Sequence, residues 1–304
     1  MNWKMLADEL GQQIKGKVIA LAPMRDYTTW AIGGPADLLC IPQTEEDVVA
    51  ALKFAEAYAL PITVIGNGSN LLVRDGGIRG LVIRIAGGLN SVHVEGTRIV
   101  AGAGMLLPSL SRIALRAGLS GLEFAADIPA SLGGAVVMNA GAFGQCMGNV
   151  VVEVEAIGYD GSRRILSGSD LHFDYRTSSL KEQELIVLKA VLELIPEAPL
   201  AIAMKMKSNL SYRRRTQPLH MPSAGCVFRN PPGHFAAKLI ELAGLKGARI
   251  GDAEVSLKHA NFIVNRGNAS ARQVLALIEL IRDQVRCRFG IDLVPEIRVV
   301  GEER

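Results

Sequence analysis

The hydrophobic positions of this 304-residue chain alternate between helical and strand spacings. Near the N-terminus, Leu6 and Leu10 lie four residues apart and predict a short helix that ends near Gly11. The apolar segments that follow predict a strand, a helix that begins with a capping Thr44, and a second strand, over residues 38–41, 44–58 and 62–65. A strand, a helix and a strand in this order form a βαβ unit, so we expect a sheet that is at least partly parallel.

A glycine loop follows the second of these strands, and another apolar segment follows the loop. Gly66 and Gly68 can adopt positive φ angles that let backbone N–H groups approach an anion, and Ser69 and Asn70 add side-chain donors. This pattern predicts a phosphate cradle, and a pyrophosphate is the anion that we expect. A tight β-turn without a ligand is the alternative.

The residues beyond the glycine loop argue against a Rossmann dinucleotide site. Such a site needs a helix directly after the glycines and an acidic residue about 20 positions further on. Here the apolar segment 71–73, a turn at Asp75–Gly77 and the apolar segment 81–85 predict a β-hairpin instead. The cradle therefore belongs to another fold.

The remainder of the chain predicts further strands and helices. The strands are 92–95, 98–101, 151–157, 185–194 and 293–300, and the helices are 108–117, 201–211, 235–243 and a long one from 270 that ends at Gly290. Ser270 and Gln273 predict a capping box at the start of that long helix. The composition changes at Ile195–Pro199, where we place a domain boundary.

The composition is that of a globular protein with about two domains. Hydrophobic residues make up 49% of the chain, and the net charge of +3 is not concentrated in one block, so we expect no nucleic-acid surface. The four cysteines are far apart, so we expect neither a metal site nor disulfides, and a reducing compartment. The sequence shows no signal peptide and no apolar run of about 18 residues, so we expect no membrane association and a cytoplasmic location.

A second glycine-rich segment spans residues 121–144 and contains five glycines but only two charged residues, Glu123 and Asp127. It is too apolar for a solvated linker and too rich in glycine to be helical throughout. Glycines let a backbone pass close to a large flat ligand, which is the function that we predict for this segment. A buried, closely packed turn region is the alternative.

Three polar residues are candidates for chemistry. Arg176 lies in a polar loop between strands, Cys226 lies in a loop rich in glycine and proline, and Glu296 interrupts an otherwise apolar strand. Each has a structural alternative: a surface arginine, a buried spectator thiol and a carboxylate on an exposed strand face. His259 has no second ligand at metal spacing, so a structural role is favoured and no metal site is predicted.

Taken in their order along the chain, these motifs resemble the UDP-N-acetylenolpyruvoylglucosamine reductase family, and the resemblance covers nearly the whole chain. They are Thr29–Asp37, Val64–Leu72, Ile128–Ala135 with Asn139–Ala142, Tyr175–Arg176, Gly225–Pro231 and Pro295–Arg298. The short passage from Phe235 to Gly251 is similar to the shorter of the family's two types, which lacks an insertion that closes over the substrate.

The resemblance implies an α+β protein with an FAD-binding fold of the vanillyl-alcohol-oxidase (PCMH) type, made of two subdomains, and a C-terminal α+β substrate-binding domain. The FAD-binding domain would span residues 1–197, with subdomains of roughly 1–73 and 74–197. The substrate-binding domain would span 198–304. FAD would be bound without a covalent link, and the chain would be a monomer or a weak homo-oligomer.

The resemblance also implies which residues form the site. Catalytic positions fall on Arg176, Cys226 and Glu296. The FAD pyrophosphate and flavin would contact Gly66, Asn67, Gly68, Ser69, Asn70, Ile128, Pro129, Ala130, Gly133, Gly134, Asn139, Ala140 and Gly141. The substrate would contact Tyr175, Arg213, Asn230 and Arg298, with Arg214 or Arg215 as alternatives to Arg213.

The implied activity is the NADPH-dependent reduction of UDP-N-acetylglucosamine enolpyruvate to UDP-N-acetylmuramate, in peptidoglycan precursor synthesis. FAD N5 would give a hydride to the vinyl carbon, Arg176 would stabilise the resulting enolate, and Cys226 would donate the proton. Glu296 would orient or polarise this end of the substrate, and His259 could help to hold Glu296. The thiol at position 226 departs from the family, which more often has serine there.

Two other functions compete with this interpretation. An oxidase of the same fold would act on a hydroxylated substrate, and such oxidases often attach FAD covalently through a histidine or a cysteine. No histidine lies in the first glycine loop of this chain. A non-enzymatic nucleotide-binding module would leave Arg176, Cys226 and Glu296 without a joint role.

Overall fold

The computed structural model describes residues 1–303, which form helices and mostly short strands. The helices are α1 (Trp3–Gly11), α2 (Glu45–Ala57), α3 (Leu107–Arg116), α4 (Leu132–Val137), α5 (Pro199–Thr216), α6 (Ala236–Leu242) and α7 (Ala271–Phe289). The strands are β1 (Lys17–Pro23), β2 (Pro35–Ile41), β3 (Ile62–Ile65), β4 (Leu71–Val73), β5 (Ile78–Arg84), β6 (Val92–Glu95), β7 (Arg98–Gly102), β8 (Leu119–Ser120), β9 (Gly141–Ala142), β10 (Gln145–Cys146), β11 (Val151–Gly158), β12 (Arg163–Ser167), β13 (Leu185–Glu193), β14 (Ile195–Pro196), β15 (Arg249–Ile250), β16 (Ala253–Val255), β17 (Ile263–Asn265) and β18 (Arg298–Val300).

The chain divides into two compact units that alternate along the sequence. Unit 1 consists of Met1–Ala20, Leu38–Asn67 and Gly80–Ser211, and unit 2 consists of Leu21–Asp37, Gly68–Arg79 and the chain from Tyr212 onward. The domain limits inferred from the sequence, 1–197 and 198–304 with a subdomain limit at 73, stay predictions. The last residue of that range, 304, lies outside the described part of the chain.

Unit 1 is built around an antiparallel sheet in the order β12-β11-β13-β7-β6. A second sheet has the order β1-β2-β5-β3, and β3 and β5 are parallel, with Ile62 opposite Leu81. The prediction of a partly parallel sheet is therefore confirmed. Helix α2 begins after Thr44, whose hydroxyl accepts a hydrogen bond from the N–H of Asp47, as its spacing predicts.

Unit 2 packs α6 and α7 around a core that contains the fully buried Trp30 and Phe228. Helix α7 has the predicted capping box between Ser270 and Gln273. In addition, the carboxylate of Asp75 accepts hydrogen bonds from the first two N–H groups of α7, 2.9 and 3.0 Å long. These contacts satisfy donors that a helix N-terminus otherwise leaves unpaired.

Two of the expected strand arrangements are wrong. Strand β4 does not form a hairpin with β5; it pairs in parallel with β18, with Leu71 opposite Arg298. Local alternation cannot reveal such a distant partner. The final strand is also shorter than 293–300, because Pro295 has no N–H for a ladder and instead forms an isolated bridge with Phe228.

Asp47 is a buried carboxylate that joins α2 to the segment before β1. It is 3% exposed and accepts hydrogen bonds of 2.8 to 2.9 Å from the backbone N–H groups of Lys15, Gly16 and Gln43. Burial raises the pKa of Asp47, but the backbone hydrogen bonds together outweigh burial and leave the pKa below its usual value. The ionised form therefore stabilises the fold.

We predict that Asp47→Asn lowers the free energy of unfolding by about 1–3 kcal/mol at pH 7, because an amide cannot accept from all three N–H groups. The lowered pKa means that wild-type stabilisation is complete above the unfolded pKa, about 3.9, and is lost as the pH falls through the folded pKa. The difference in free energy of unfolding between wild type and Asp47→Asn should therefore become smaller as the pH falls. Chemical denaturation at several pH values from 7 to 3 measures this difference, with substitution of the exposed Asp8 by Asn as a control. A difference that does not change with pH would contradict this role of the Asp47 charge.

Candidate active site

The first glycine loop is shaped by close backbone approaches. Gly68 has a φ of +67°, and a Cβ added to it would clash with the carbonyl oxygen of Tyr27. Gly66 is not in the left-handed region, contrary to what the sequence suggests; it is needed because a Cβ there would clash with the hydroxyl of Ser131. That same Cβ would lie 3.5 Å from the Cα of Gly134, so two glycine segments face each other directly.

Asn67 links the first glycine loop to the second glycine-rich segment. Its side-chain amide donates to the carbonyl of Pro129 over 2.8 Å, and its oxygen accepts from the guanidinium of Arg84 over 3.0 Å. Arg84 in turn donates to the carbonyl of Ala86 over 2.7 Å. The Asn67 side chain is thereby oriented by protein contacts at both its amide and its oxygen. The backbone N–H groups and the Ser69 hydroxyl of this loop can donate to an anion.

Arg176 lies at the tip of a tight turn in unit 1. Asp174 and Thr177 exchange two backbone hydrogen bonds, 3.1 and 3.2 Å long, so Tyr175 and Arg176 are the two central residues of the turn. Arg176 has a φ of +59°, a region that non-glycine residues rarely occupy. Its guanidinium carbon lies 5.4 Å from the centre of the Tyr175 ring. Such conformations persist where the surrounding structure enforces them.

The turn that carries Arg176 is held by two polar side chains. Asn139, which is 5% exposed, donates from its amide to the carbonyl of Asp174 over 2.9 Å and accepts from the N–H of Gly148 over 2.9 Å. Ser178 donates to the carbonyl of Val137 over 2.8 Å. The Asn139 segment predicted to line the flavin thus also supports the predicted catalytic arginine.

In unit 2, backbone pairing brings Cys226 and Glu296 close together. The N–H of Glu296 donates to the carbonyl of Val227 over 2.7 Å, and the N–H of Arg229 donates to the carbonyl of Val294 over 2.9 Å. The residue directly after Cys226 is therefore hydrogen-bonded to Glu296. Both Cys226 and Glu296 are half-buried.

Thr29 connects the loop before Cys226 to the first glycine loop within unit 2. Its hydroxyl donates to the carbonyl of Ser223 over 2.8 Å, and its backbone carbonyl accepts from the N–H of Ser223 over 3.1 Å. The N–H of Thr29 donates to the carbonyl of Gly68 over 3.2 Å. One residue therefore fixes both loops.

Sequence reasoning missed two buried asparagines that support these loops. The Asn261 side chain makes two hydrogen bonds to the backbone of Phe228: it accepts from the N–H over 2.9 Å and donates to the carbonyl over 2.8 Å. Asn265 donates to the carbonyl of Trp30 over 3.1 Å and accepts from the N–H groups of Gly267 and Ala269. Both are 3% exposed. The sequence signal was two amides four residues apart in an otherwise apolar segment, since buried amides must be hydrogen-bonded.

The residues expected to contact the substrate differ in their exposure to solvent. Among the three consecutive arginines at the end of α5, Arg213 is half-buried, whereas Arg214 and Arg215 are exposed. Tyr175 and Arg298 are exposed. Asn230 is exposed too, but its side-chain oxygen accepts from the N–H of Ala236 over 3.0 Å and so caps α6.

His259 is half-buried and packs edge-on against Phe262, with ring centres 4.8 Å apart. Burial lowers the pKa of His259, and the positive charge of Lys246 lowers it further, so the neutral imidazole is favoured. Its Nδ1 has no hydrogen-bond partner among the described residues. Residues 1–303 contain no group of three or more acidic, cysteine or histidine side chains placed to bind a metal, and none of their helices has the length and apolar character of a membrane span.

Comparison with known proteins gives a consistent result over the whole chain. Residues 217–300 match the family described as UDP-N-acetylenolpyruvoylglucosamine reductase, C-terminal domain, and residues 36–167 match the FAD binding domain family. A UDP-N-acetylenolpyruvoylglucosamine reductase from Moorella thermoacetica is 50% identical over 302 residues, which cover 99% of each chain. One from Desulforamulus reducens is 47% identical over 303 residues, which cover 100% of each chain.

The chain belongs to the UDP-N-acetylenolpyruvoylglucosamine reductase family. The crystal structure of the reductase (MurB) from Thermus caldophilus is 40% identical, with a TM-score of 0.80, and the match covers 94% of this chain and 99% of that one. The predicted family, α+β FAD-binding fold of the vanillyl-alcohol-oxidase type, enzyme class and FAD cofactor are confirmed. Its length is that of the shorter type of UDP-N-acetylenolpyruvoylglucosamine reductase.

The geometry of the glycine loops fits FAD. Glycines let a backbone pass close to a ligand, and Gly66 leaves no room for a Cβ beside the hydroxyl of Ser131, whereas a Cβ at Gly134 would make only ordinary contacts. Backbone N–H groups in such a loop form a concave site for phosphate oxygens. In this reductase family member, the loop that follows β3 is therefore suited to the pyrophosphate of FAD.

We predict that Gly68→Ala destabilises the protein more than Gly96→Ala does. Both glycines have positive φ angles, +67° and +57°, which cost alanine about 1–2 kcal/mol. Only Gly68 also faces a backbone clash, whereas a Cβ at Gly96 would have nothing within 4 Å, so Gly68→Ala should lose roughly 1–3 kcal/mol more. Chemical denaturation of both variants without FAD measures the loss in free energy of unfolding of each, and FAD titration measures how well each still binds FAD. Equal losses in free energy of unfolding would show that the contact with Tyr27 is unimportant.

Proposed function

We propose that this chain catalyses the NADPH-dependent reduction of UDP-N-acetylglucosamine enolpyruvate to UDP-N-acetylmuramate, a peptidoglycan precursor. The observation that carries the proposal is the pairing of a thiol-bearing loop with Glu296 through the hydrogen bond from Glu296 N–H to Val227. We also propose a cytoplasmic location and a monomer or weak homo-oligomer. Family membership favours this reductase over an oxidase of the same fold and over a module without activity.

The two glycine segments would hold FAD without a covalent bond. Backbone N–H groups of Gly66–Asn70, together with the Ser69 hydroxyl, would bind the pyrophosphate, and Ile128–Gly134 with Asn139–Gly141 would line the flavin. When bound, FAD supplies the hydride that reduces the terminal vinyl carbon of the substrate. The tie between Asn67 and Pro129 would keep both segments in register for this cofactor.

Arg176 would stabilise the negative charge that forms on the carboxylate side of the substrate. A guanidinium stays protonated at all working pH values and can donate to two oxygens at once. The tight turn and the Asn139 hydrogen bond fix its backbone before the substrate arrives, and such preorganisation is what makes an electrostatic contact effective in catalysis.

Cys226 would complete the reduction by donating its proton to the α-carbon. The S–H bond breaks, a C–H bond forms, and the thiolate that remains regains a proton from solvent before the next turnover. Glu296, held beside the same loop, would orient or polarise this end of the substrate or share the acid role. A thiol is a stronger acid than the serine hydroxyl more common in the family, so it can serve as the donor.

The substrate diphosphate and carboxylate would contact Tyr175, Arg213, Asn230 and Arg298. Arg213 is favoured over its two exposed neighbours because its guanidinium is half-buried and already oriented by a 3.0 Å hydrogen bond to Gln217. We further propose that residues 1–197 form the FAD-binding domain and that 198–304 form the substrate-binding domain.

We predict that Cys226→Ser retains substantial activity and that Cys226→Ala loses the second half-reaction. Serine keeps an exchangeable proton at this position, whereas alanine has none, and general acid catalysis contributes about 10²–10⁴-fold in rate. Anaerobic stopped-flow absorbance would follow flavin reduction by NADPH and its reoxidation by the enolpyruvate separately.

The control for this experiment is Cys287→Ala, which removes an exposed thiol from α7. It should leave both half-reactions unchanged. Reoxidation at the wild-type rate in Cys226→Ala would overturn the assignment of Cys226 as the proton donor. Loss of flavin reduction by NADPH in the same variant would show instead that the substitution damages the FAD site.

A further inference from the structure

Asn70 is the last residue of the first glycine loop and lies against the segment that carries Glu296. Its side-chain amide donates to the carbonyl of Glu296 over 3.1 Å. Its backbone carbonyl accepts from the N–H of Arg298 over 3.0 Å. Asn70 therefore contacts the main chain at Glu296 and again two residues later, where β18 begins.

A second backbone hydrogen bond holds the main chain at Glu296. Its N–H donates to the carbonyl of Val227 over 2.7 Å, and Pro295, which precedes it, lacks an N–H and forms an isolated bridge with Phe228. Strand β18 starts at Arg298, so regular pairing does not extend back to Glu296. The Asn70 amide therefore donates to the carbonyl of Glu296, and the carbonyl of Val227 accepts from its N–H.

The side chain of Ser69, which precedes Asn70 in the loop, differs from Asn70 in its hydrogen bonding. Ser69 is half-buried, and its hydroxyl makes no hydrogen bond to any described residue. A hydroxyl in a glycine loop without a protein partner can donate to a phosphate oxygen. One of the two amide hydrogens of Asn70 is engaged by the carbonyl of Glu296, whereas the Ser69 hydroxyl makes no hydrogen bond to a described residue.

We infer that the Asn70 side chain is a positioning residue for Glu296, and that within this loop the side-chain contact to FAD comes from Ser69. This inference rests on the proposed function, because it assigns Asn70 to the step in which Glu296 acts. Removing the amide removes this hydrogen bond and loosens the main chain that orients the carboxylate. Misplacement of a reacting group by about 1 Å can cost on the order of 100-fold in rate.

The experiment compares Asn70→Ala with Ser69→Ala in the full chain. For Asn70→Ala we expect FAD affinity within about twofold of wild type, unchanged flavin reduction by NADPH, and reoxidation by the enolpyruvate slowed by about 10- to 100-fold. The fall should appear in kcat rather than KM, with a changed pH profile of reoxidation. For Ser69→Ala we expect the reverse pattern: weaker FAD binding and normal reoxidation once FAD is saturating.

A readout that does not depend on activity is amide hydrogen exchange of the apoprotein over residues 293–300. Exchange there should rise in Asn70→Ala and stay at the wild-type rate in Ser69→Ala. Asn70→Asp, which keeps the side-chain shape but replaces the donor with an oxygen, should slow reoxidation at least as much as alanine and covers the case in which the alanine variant is poorly folded.

Two results would overturn the inference. One is weaker FAD binding in Asn70→Ala with normal reoxidation at saturating FAD; the other is unchanged exchange over 293–300 together with normal reoxidation. Failure of the proposed function is distinguishable, because the wild-type protein itself would then not reoxidise its flavin with the enolpyruvate. In that case, increased exchange in Asn70→Ala alone would still support the structural link to Glu296.

Discussion

The hydrogen bond from Glu296 N–H to the carbonyl of Val227 is the contact on which the catalytic part of unit 2 depends. The two residues are distant in sequence, and no regular strand holds either of them at this point. The bond nevertheless sets a carboxylate beside the loop that carries a thiol. A proton donor and a group that orients the substrate must be placed together before binding if they are to act in one step.

Asparagine amides maintain this placement throughout the structure. Asn261 donates to the backbone of Phe228, and Asn265 donates to that of Trp30. Asn139 supports the turn that carries Arg176, and Asn67 joins the two glycine segments. An amide can donate and accept at once without introducing a charge, so it can join two irregular segments in a buried region. Loops rich in glycine cost conformational entropy on folding, and such contacts offset part of that cost.

The sequence predicted correctly those structural features that depend on residues close to each other in the chain. The capping box at Ser270 and the Thr44 cap follow from neighbouring residues, and the order of the motifs was sufficient for the family. Short strands such as β9, β14 and β15, which have two residues each, were not predicted because two residues carry no alternation. The pairing of β4 with β18 could not be predicted, because both partners are short and more than 200 residues apart. The partners of Asn139 and Asn261 could not be predicted for the same reason, since each amide is hydrogen-bonded to a distant backbone group.

The proposed reaction is tested most simply by the visible absorption spectrum of the purified protein under anaerobic conditions, taken before NADPH, after NADPH, and after UDP-N-acetylglucosamine enolpyruvate. We predict flavin bands that bleach with NADPH and return with the enolpyruvate. Bands that bleach and do not return would contradict the proposed substrate, and a protein that shows no flavin bands even after added FAD would contradict the proposed function altogether.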